Sequence, residues 1–295
     1  MGITPPLRPV TEAEIETFRR DGVVCLRGVM PAAWLARMEQ PVETALTDGI
    51  AADLSQMGED LAAAGAERVI DPRVGATGGP RGRFVAGTDH WCENAEFLEF
   101  AVRSPLGALV AALLGVDDVW LYEDSVLVKE PGTEERTAFH QDMSYFHLEG
   151  DRVCTTWVPL DPVTAESGAV RYVAGSHRDR TRYRPNLFVT TMAIPGTEGA
   201  EVPDYDDAEL AGAARIVSFD TRPGDVVVHH ARTIHGAHGN ASASRRRRAI
   251  SVRYAGTGTV FSPVAGAPEK PHHAGVTPGA ALYDEHFPRV WPPPA

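Results

Sequence analysis

Cysteine is scarce in this chain: 3 among 295 residues, at Cys25, Cys92 and Cys154. An odd, scattered set excludes a disulfide framework and a zinc knuckle, and it predicts a reducing, cytoplasmic setting. Positive charge is also short, with 28 Lys and Arg against 40 Asp and Glu, a net charge of -12 and a pI near 5.4. Binding nucleic acid through its phosphates needs the opposite balance, so no nucleic-acid partner is expected. Long apolar runs are missing too. No window reaches the ~18 consecutive apolar residues of a membrane span. The opening MGITPPLRPV has neither the apolar core of a secretion signal nor the hydroxyl residue of a myristoylation site. A small-molecule partner is the expectation that survives; the oligomeric state stays open.

What is present is ordinary globular material: 43% hydrophobic and 23% charged residues, enough for a sizeable core. Thr11 and Glu14 form a capping box that starts a helix running to about Arg20, and Asp21-Gly22 stops it. Val23–Leu26 reads as a short strand, and Pro31 opens a helix to about Leu46. Residues 49–88 read as a loose helix and then a loop, broken at Gly78-Gly79-Pro80. Glu93–Leu114 reads as one helix stopped by Gly115. After that the pattern changes to strands between turns: Val119–Lys129, Arg152–Pro159, Ala169–Val173, Phe188–Ile194, Ala214–Phe219, Asp225–His230 and Arg248–Tyr254. Residues 196–212 and 256–280 read as loops, and the tail from Trp291 as irregular. Helices first and many strands later predict a helical third buttressing a β-sandwich or barrel.

The chemistry-bearing residues cluster. Of 11 histidines, six fall in two short segments, 139–147 and 224–238. His140 and Asp142 are two apart, so an extended strand would point both to one face. With one histidine of the second segment they would make a two-histidine, one-carboxylate triad, the ligand set of non-haem iron(II) oxygenases. Downstream, Arg245–Arg248 leads straight into the apolar Ala-Ile-Ser-Val-Arg-Tyr, so alternate arginines must point inward or be paired. An inward arginine at the end of a barrel strand suits a buried dicarboxylate, because its planar fork grips a carboxylate through two hydrogen bonds.

Together the segments FRRDGVVCLRGVM, HQD, TTWVPLDPVTAESGAVRYVAGSHR, PGDVVVHHARTIHGAHGNAS and RRRRAISVRY resemble the phytanoyl-CoA dioxygenase family of iron(II)- and 2-oxoglutarate-dependent oxygenases. The resemblance covers most of the chain. It implies a mainly β fold with flanking helices and a double-stranded β-helix (jelly-roll, cupin-like) core. Residues 1–295 would be one domain: a mostly helical buttress over 1–115, the β-helix core over 116–260 and a loop-rich tail over 261–295. It further implies His140, Asp142 and His235 as metal ligands, with His229, His230 and His238 as neighbours that could replace His235. Spacing from His235 points to Arg246 as the 2-oxoglutarate arginine, whereas strand register points to Arg247; register is the stronger constraint, since a slip of one reverses the face. Trp157 matches an aromatic position lining the co-substrate pocket, and a plain core tryptophan is the competing reading.

The implied cofactor is iron(II), with 2-oxoglutarate and dioxygen as co-substrates. The implied reaction is hydroxylation of an unactivated C–H bond with release of succinate and carbon dioxide. Halogenating relatives replace the metal carboxylate by a small residue, and Asp142 keeps it, so hydroxylation is expected over halogenation. Substrate contacts are expected from His90, Trp91, Tyr145 and His147, with Arg83 and Arg178 as further candidates. The acidic balance favours a small metabolite over an acyl-CoA. Two rivals remain: a cupin-like metal-dependent hydrolase or isomerase, which has no need of a buried arginine facing the metal, and a non-catalytic metal-binding sensor, which has no need of a full ligand set.

Overall fold

The computed structural model describes residues 3–74, 81–207, 212–283 and 285–293. Thr11 caps helix α1 (Glu12–Asp21) through both arms of the capping box, and Gly22 ends it in the left-handed conformation at φ 73°. β1 (Val23–Leu26), α2 (Ala32–Ala45), β2 (Ala52–Asp53), α3 (Leu54–Ala63) and β3 (Phe84–Thr88) follow. Next come α4 (His90–Glu93), α5 (Ala95–Arg103) and α6 (Leu106–Leu114). The remaining strands are β4 (Val119–Lys129), β5 (Thr137–His140), β6 (Leu148–Glu149), β7 (Val153–Pro159), β8 (Val170–Val173), β9 (Ile216–Ser218), β10 (Val226–His230), β11 (His235–Ala237), β12 (Arg247–Gly256), β13 (Val260–Phe261) and β14 (Arg289–Trp291).

The main sheet runs β1-β10-β7-β12-β4-β3-β2, with β14 also paired to β4; a second sheet runs β5-β11-β8-β9. All these pairs are antiparallel. Period-two alternation divides the side chains of the main sheet. Val226, Val228, Cys154, Val158, Ile250, Val252 and Tyr254 pack on Phe18, Leu35, Met38, Phe97, Phe100 and Leu109 of the helices. On the other face Val23, Trp157, Val227 and Ala249 meet Ala169 and Tyr172 in a second cluster. Each fully buried Val or Leu contributes about 1.5–3 kcal/mol. The helices therefore hold one face of the sheet, and the other face is left for chemistry.

Several expectations need correcting. The N-terminal third is not only a helical buttress, because β1, β2 and β3 belong to the main sheet. The segment 84–88, expected as loop, pairs with β4, where neighbouring strands supply its missing hydrogen bonds. Gly78-Gly79-Pro80 lies outside the described residues. Glu93–Leu114 is not one helix: Glu93 ends α4, Asn94 caps α5 by accepting from Glu96 N–H, and Pro105 starts α6. Phe188–Ile194 is not a strand, since Phe188 sits at φ 69°. The tail is stitched in at β14. Among the described residues no single helix is long and apolar enough to cross a membrane.

Gly22 is the joint between α1 and β1. Its carbonyl accepts from His230 N–H at 2.8 Å and from the Thr233 hydroxyl at 2.8 Å. A Cβ there would lie 2.4 Å from His177 Nδ1 and 2.5 Å from Thr233 Oγ1. Gly22→Ala is expected to cost about 2 kcal/mol or more, since left-handed strain alone is worth roughly 1–3 kcal/mol. Urea denaturation would read it; a loss under about 0.5 kcal/mol, the scatter of ordinary surface changes, would show that the joint yields.

Candidate metal and co-substrate site

β5 and β11 are neighbours in the second sheet, and His140 and His235 are direct register partners. Their rings lie 4.2 Å apart. His140 ends its strand, Gln141 stays extended, and Asp142 opens a 3-10 turn instead of continuing the strand that the His-x-Asp spacing suggested. The result is the same side-by-side placement by another route. One ligand atom from each of His140, Asp142 and His235 falls within 4.8 Å of the others. His140 Nε2 and His235 Nε2 are each 3.7 Å from Asp142 Oδ1.

The backbone fixes which nitrogen faces inward. His140 Nδ1–H donates to Ala138 O at 2.8 Å, and His235 Nδ1–H donates to Thr233 O at 3.0 Å, leaving both Nε2 lone pairs for a metal. Burial, with His140 and His229 nearby, pushes His235 well below its usual range. Burial alone would raise the Asp142 carboxyl, but His235, His140 and His229 together hold it well below the usual carboxylate range. Its Oδ2 is taken by His229 Nε2 at 3.0 Å and by the Thr155 hydroxyl, which leaves Oδ1 for the metal. Imidazole, imidazole and carboxylate on one side of a point is a donor set that fits iron(II) with positions to spare.

Of the neighbouring histidines, only His229 enters the site, and it grips Asp142. His230 donates to Asp151 O at 3.0 Å, and His238 lies 3.8 Å from Asp71.

Arg247 is 2% exposed and faces the same interior as the triad, beside Trp157, Tyr172, Val170 and Leu127 in a narrow cavity of about 40 Å³. Its guanidinium carbon sits 5.8 Å from the Trp157 ring centre, so Trp157 is a wall of this pocket. Among the described residues no carboxylate pairs with Arg247, its Nε finds no acceptor, and burial pushes its pKa down to about 10. Arg246 instead faces out to Glu43 at 2.8 Å and Glu130 at 3.2 Å, and Arg248 pairs with Asp161 at 2.7 Å. An orphaned buried guanidinium fits the far carboxylate of a dicarboxylic oxo acid.

A larger cavity of about 350 Å³ meets the narrow one at His140, Asp142 and Phe188, and Leu54, Phe146 and Pro268 supply apolar wall. Tyr145 lines it, with its hydroxyl donating to Asn186 and its ring edge-on to His140 at 5.7 Å. The other expected substrate contacts lie elsewhere. His90 is buried on Phe97 at 5.1 Å, behind the Gly87 wall. Trp91 packs on the helical core and on His272. His147 donates to Pro268 O and accepts from Val264 N–H, so it holds the covering loop. Arg83 is exposed, and Arg178 donates to Arg20 O. Sequence reasoning missed Thr155, Arg253, Glu123 and Lys270. The first two are inward positions of strands it did identify, two residues before Trp157 and six after Arg247.

A model of the phytanoyl-CoA dioxygenase family matches residues 18–249. The dioxygenase FrzG of a Cladobotryum species is 23% identical over 82% of this chain and 74% of its own. The crystal structure of SnoK, an α-ketoglutarate-dependent carbocyclase of nogalamycin biosynthesis, is 24% identical with a TM-score of 0.68, covering 98% of this chain and all of that one. The epimerase SnoN, solved with Fe3+, α-ketoglutarate and a nogalamycin, is 24% identical with a TM-score of 0.66, covering 95% and 98%.

Proposed function

The chain belongs to the phytanoyl-CoA dioxygenase family of iron- and 2-oxoglutarate-dependent oxygenases, and we propose that it hydroxylates an unactivated C–H bond of a small metabolite or natural product. Arg247 carries the reading: a buried cation without a carboxylate partner among the described residues, in the same cavity as the triad, has a role when a dicarboxylate shares that space. A hydrolase or isomerase on the same triad would have no use for it. The whole chain, 1–295, acts in this reading as one domain, with β14 tying the tail to the main sheet.

His140 Nε2, Asp142 Oδ1 and His235 Nε2 would hold iron. When bound, iron would let dioxygen oxidise 2-oxoglutarate to succinate and carbon dioxide, one oxygen atom entering succinate and the other going to the substrate C–H bond. His229 and Thr155 keep Asp142 turned towards the metal. Arg247 fixes the far carboxylate, and Trp157, Tyr172 and Leu127 exclude water around it. Phe188, Phe146 and Leu54 would press the substrate towards the metal, so that a chosen C–H bond is held in place before reaction. Ring closure and epimerisation, named for SnoK and SnoN, are the alternatives a product analysis separates.

The test is oxygen-dependent release of succinate from 2-oxoglutarate, followed by mass analysis of a converted substrate. A gain of one oxygen atom is expected; loss of two hydrogens without oxygen would favour cyclisation or desaturation. Chloride or bromide in the assay is expected never to enter product, because Asp142 occupies the position a halide would need.

A further inference from the structure

We propose that Arg253 forms a second carboxylate-reading site, facing the larger cavity, and that the substrate is a mostly apolar small molecule bearing a carboxylate. This inference rests on the oxygenase reading above and deepens it. β12 sends Arg247, Ala249, Ser251 and Arg253 to its inner face. Arg253 stands on the row that crosses the sheet through His229, Thr155 and Glu123, which is the row that grips Asp142. It is 8% exposed and lines both cavities.

The guanidinium is only half used. Its contacts leave from Nη1, to the Ser125 hydroxyl and to Glu123 Oε1 at 3.4 Å. Nε is buried and has no acceptor. The Nε–Nη2 edge, one of the two edges that can clasp a carboxylate with parallel hydrogen bonds, is therefore vacant. Glu123 is shared between Arg253 and Lys270, and Asp89, 2.5 Å from Lys270 Nζ, is the second carboxylate of this group and lies on the Lys270 side. Asp142 cannot serve either, since His229 and Thr155 occupy its Oδ2. Both cavity cations already share Glu123, so a cationic ligand would find no free carboxylate there. The cavity that Arg253 lines also has an apolar wall, from Leu54, Leu127, Phe146, Phe188 and Pro268. An apolar body with one planar anionic end matches that surface.

The experiment is calorimetric titration, without oxygen, of the iron- and 2-oxoglutarate-loaded protein with 3-phenylpropanoate and with its primary amide. The acid is expected to bind about tenfold more tightly than the amide, a difference of roughly 1.4 kcal/mol. In Arg253→Met that preference should vanish while 2-oxoglutarate affinity is unchanged; Arg253→Lys, which keeps charge without the fork, should recover part of it. Equal affinity of acid and amide in the unmodified protein, or no measurable binding of the acid, overturns the proposal. So does loss of 2-oxoglutarate affinity in Arg253→Met, which would assign the residue to the co-substrate's reacting end. Failure of the oxygenase reading shows separately, as no 2-oxoglutarate binding to the iron-loaded protein before any probe is added. Should Arg253→Met not fold, the acid-to-amide ratio of the unmodified protein and of Arg253→Lys still decides.

Discussion

Asp142→Ala is expected to abolish 2-oxoglutarate turnover and to weaken iron binding by at least about a hundredfold, while the circular dichroism spectrum stays the same. The magnitude follows from comparison: partners that merely orient a ligand are worth about 10–100-fold in metal affinity, so removing the ligand itself starts at the upper end. The fold should survive because the turn is held by other atoms. Met143 N–H donates to Ala231 O at 2.9 Å, Tyr145 N–H to Asp142 O at 2.9 Å, and the Gln141 side-chain amide to Arg232 O at 2.8 Å. The alanine would leave His229 Nε2 and the Thr155 hydroxyl without an acceptor, at about 1–3 kcal/mol, but it would also remove a buried carboxylate. His229→Ala supplies the graded control, an affinity loss of about 10–100-fold with the triad intact. Iron titration monitored by calorimetry separates the two. Unchanged iron affinity in Asp142→Ala would remove that residue from the metal site.

The same residues show where a sequence can be read and where it cannot. β4, β7, β10 and β12 are visible because one face of the main sheet is apolar against the helices, so alternation is strong. The Glu93–Leu114 stretch misleads because α5 and α6 both bury apolar faces in one core, so the hydrophobic period runs on across Ser104-Pro105. β3 hides because Gly87 and a polar end weaken its pattern, and its reason for being a strand is β4, some forty residues away. His140, Asp142 and His235 are legible from residue type, yet the strand geometry inferred for His-x-Asp is wrong in detail, since a 3-10 turn at Asp142 replaces an extended chain. Lys270 carries no local signal at all. It matters because the loop around Pro268 folds back over the cavity and reaches Glu123, a contact 147 positions distant that only tertiary packing creates. His90 and Trp91 fail for the complementary reason. Polar-aromatic residues after a glycine-rich loop look like pocket residues, but α4 turns both towards the helices.

Arg247→Met should separate stability from function more sharply than any other change. Its 2-oxoglutarate affinity is expected to fall roughly thirtyfold to several-thousandfold, the equivalent of about 2–5 kcal/mol for losing one partner of a buried charge pair. The iron-loaded protein without 2-oxoglutarate should meanwhile be as stable as the unmodified one, or more so. Burial pushes Arg247 down to about 10, so the charged form is the disfavoured form in the folded state. That penalty, roughly 3 kcal/mol by the size of the displacement, is fully present at neutral pH and is relieved only as pH rises through 10. Methionine removes it and still covers the face of Trp157. A 2-oxoglutarate concentration that saturates the unmodified protein should therefore raise its melting temperature, because a ligand that binds only the folded state stabilises it, and should raise that of Arg247→Met much less. Arg246→Ala is the internal control. Its partners Glu43 and Glu130 lie towards solvent, where an ion pair is worth about 0–1 kcal/mol, so co-substrate affinity should hardly move. If the two variants behaved in the opposite order, the inward face of β12 would have to be the even-numbered one, and Ile250, Val252 and Tyr254 would have to leave the helical core in which they are packed.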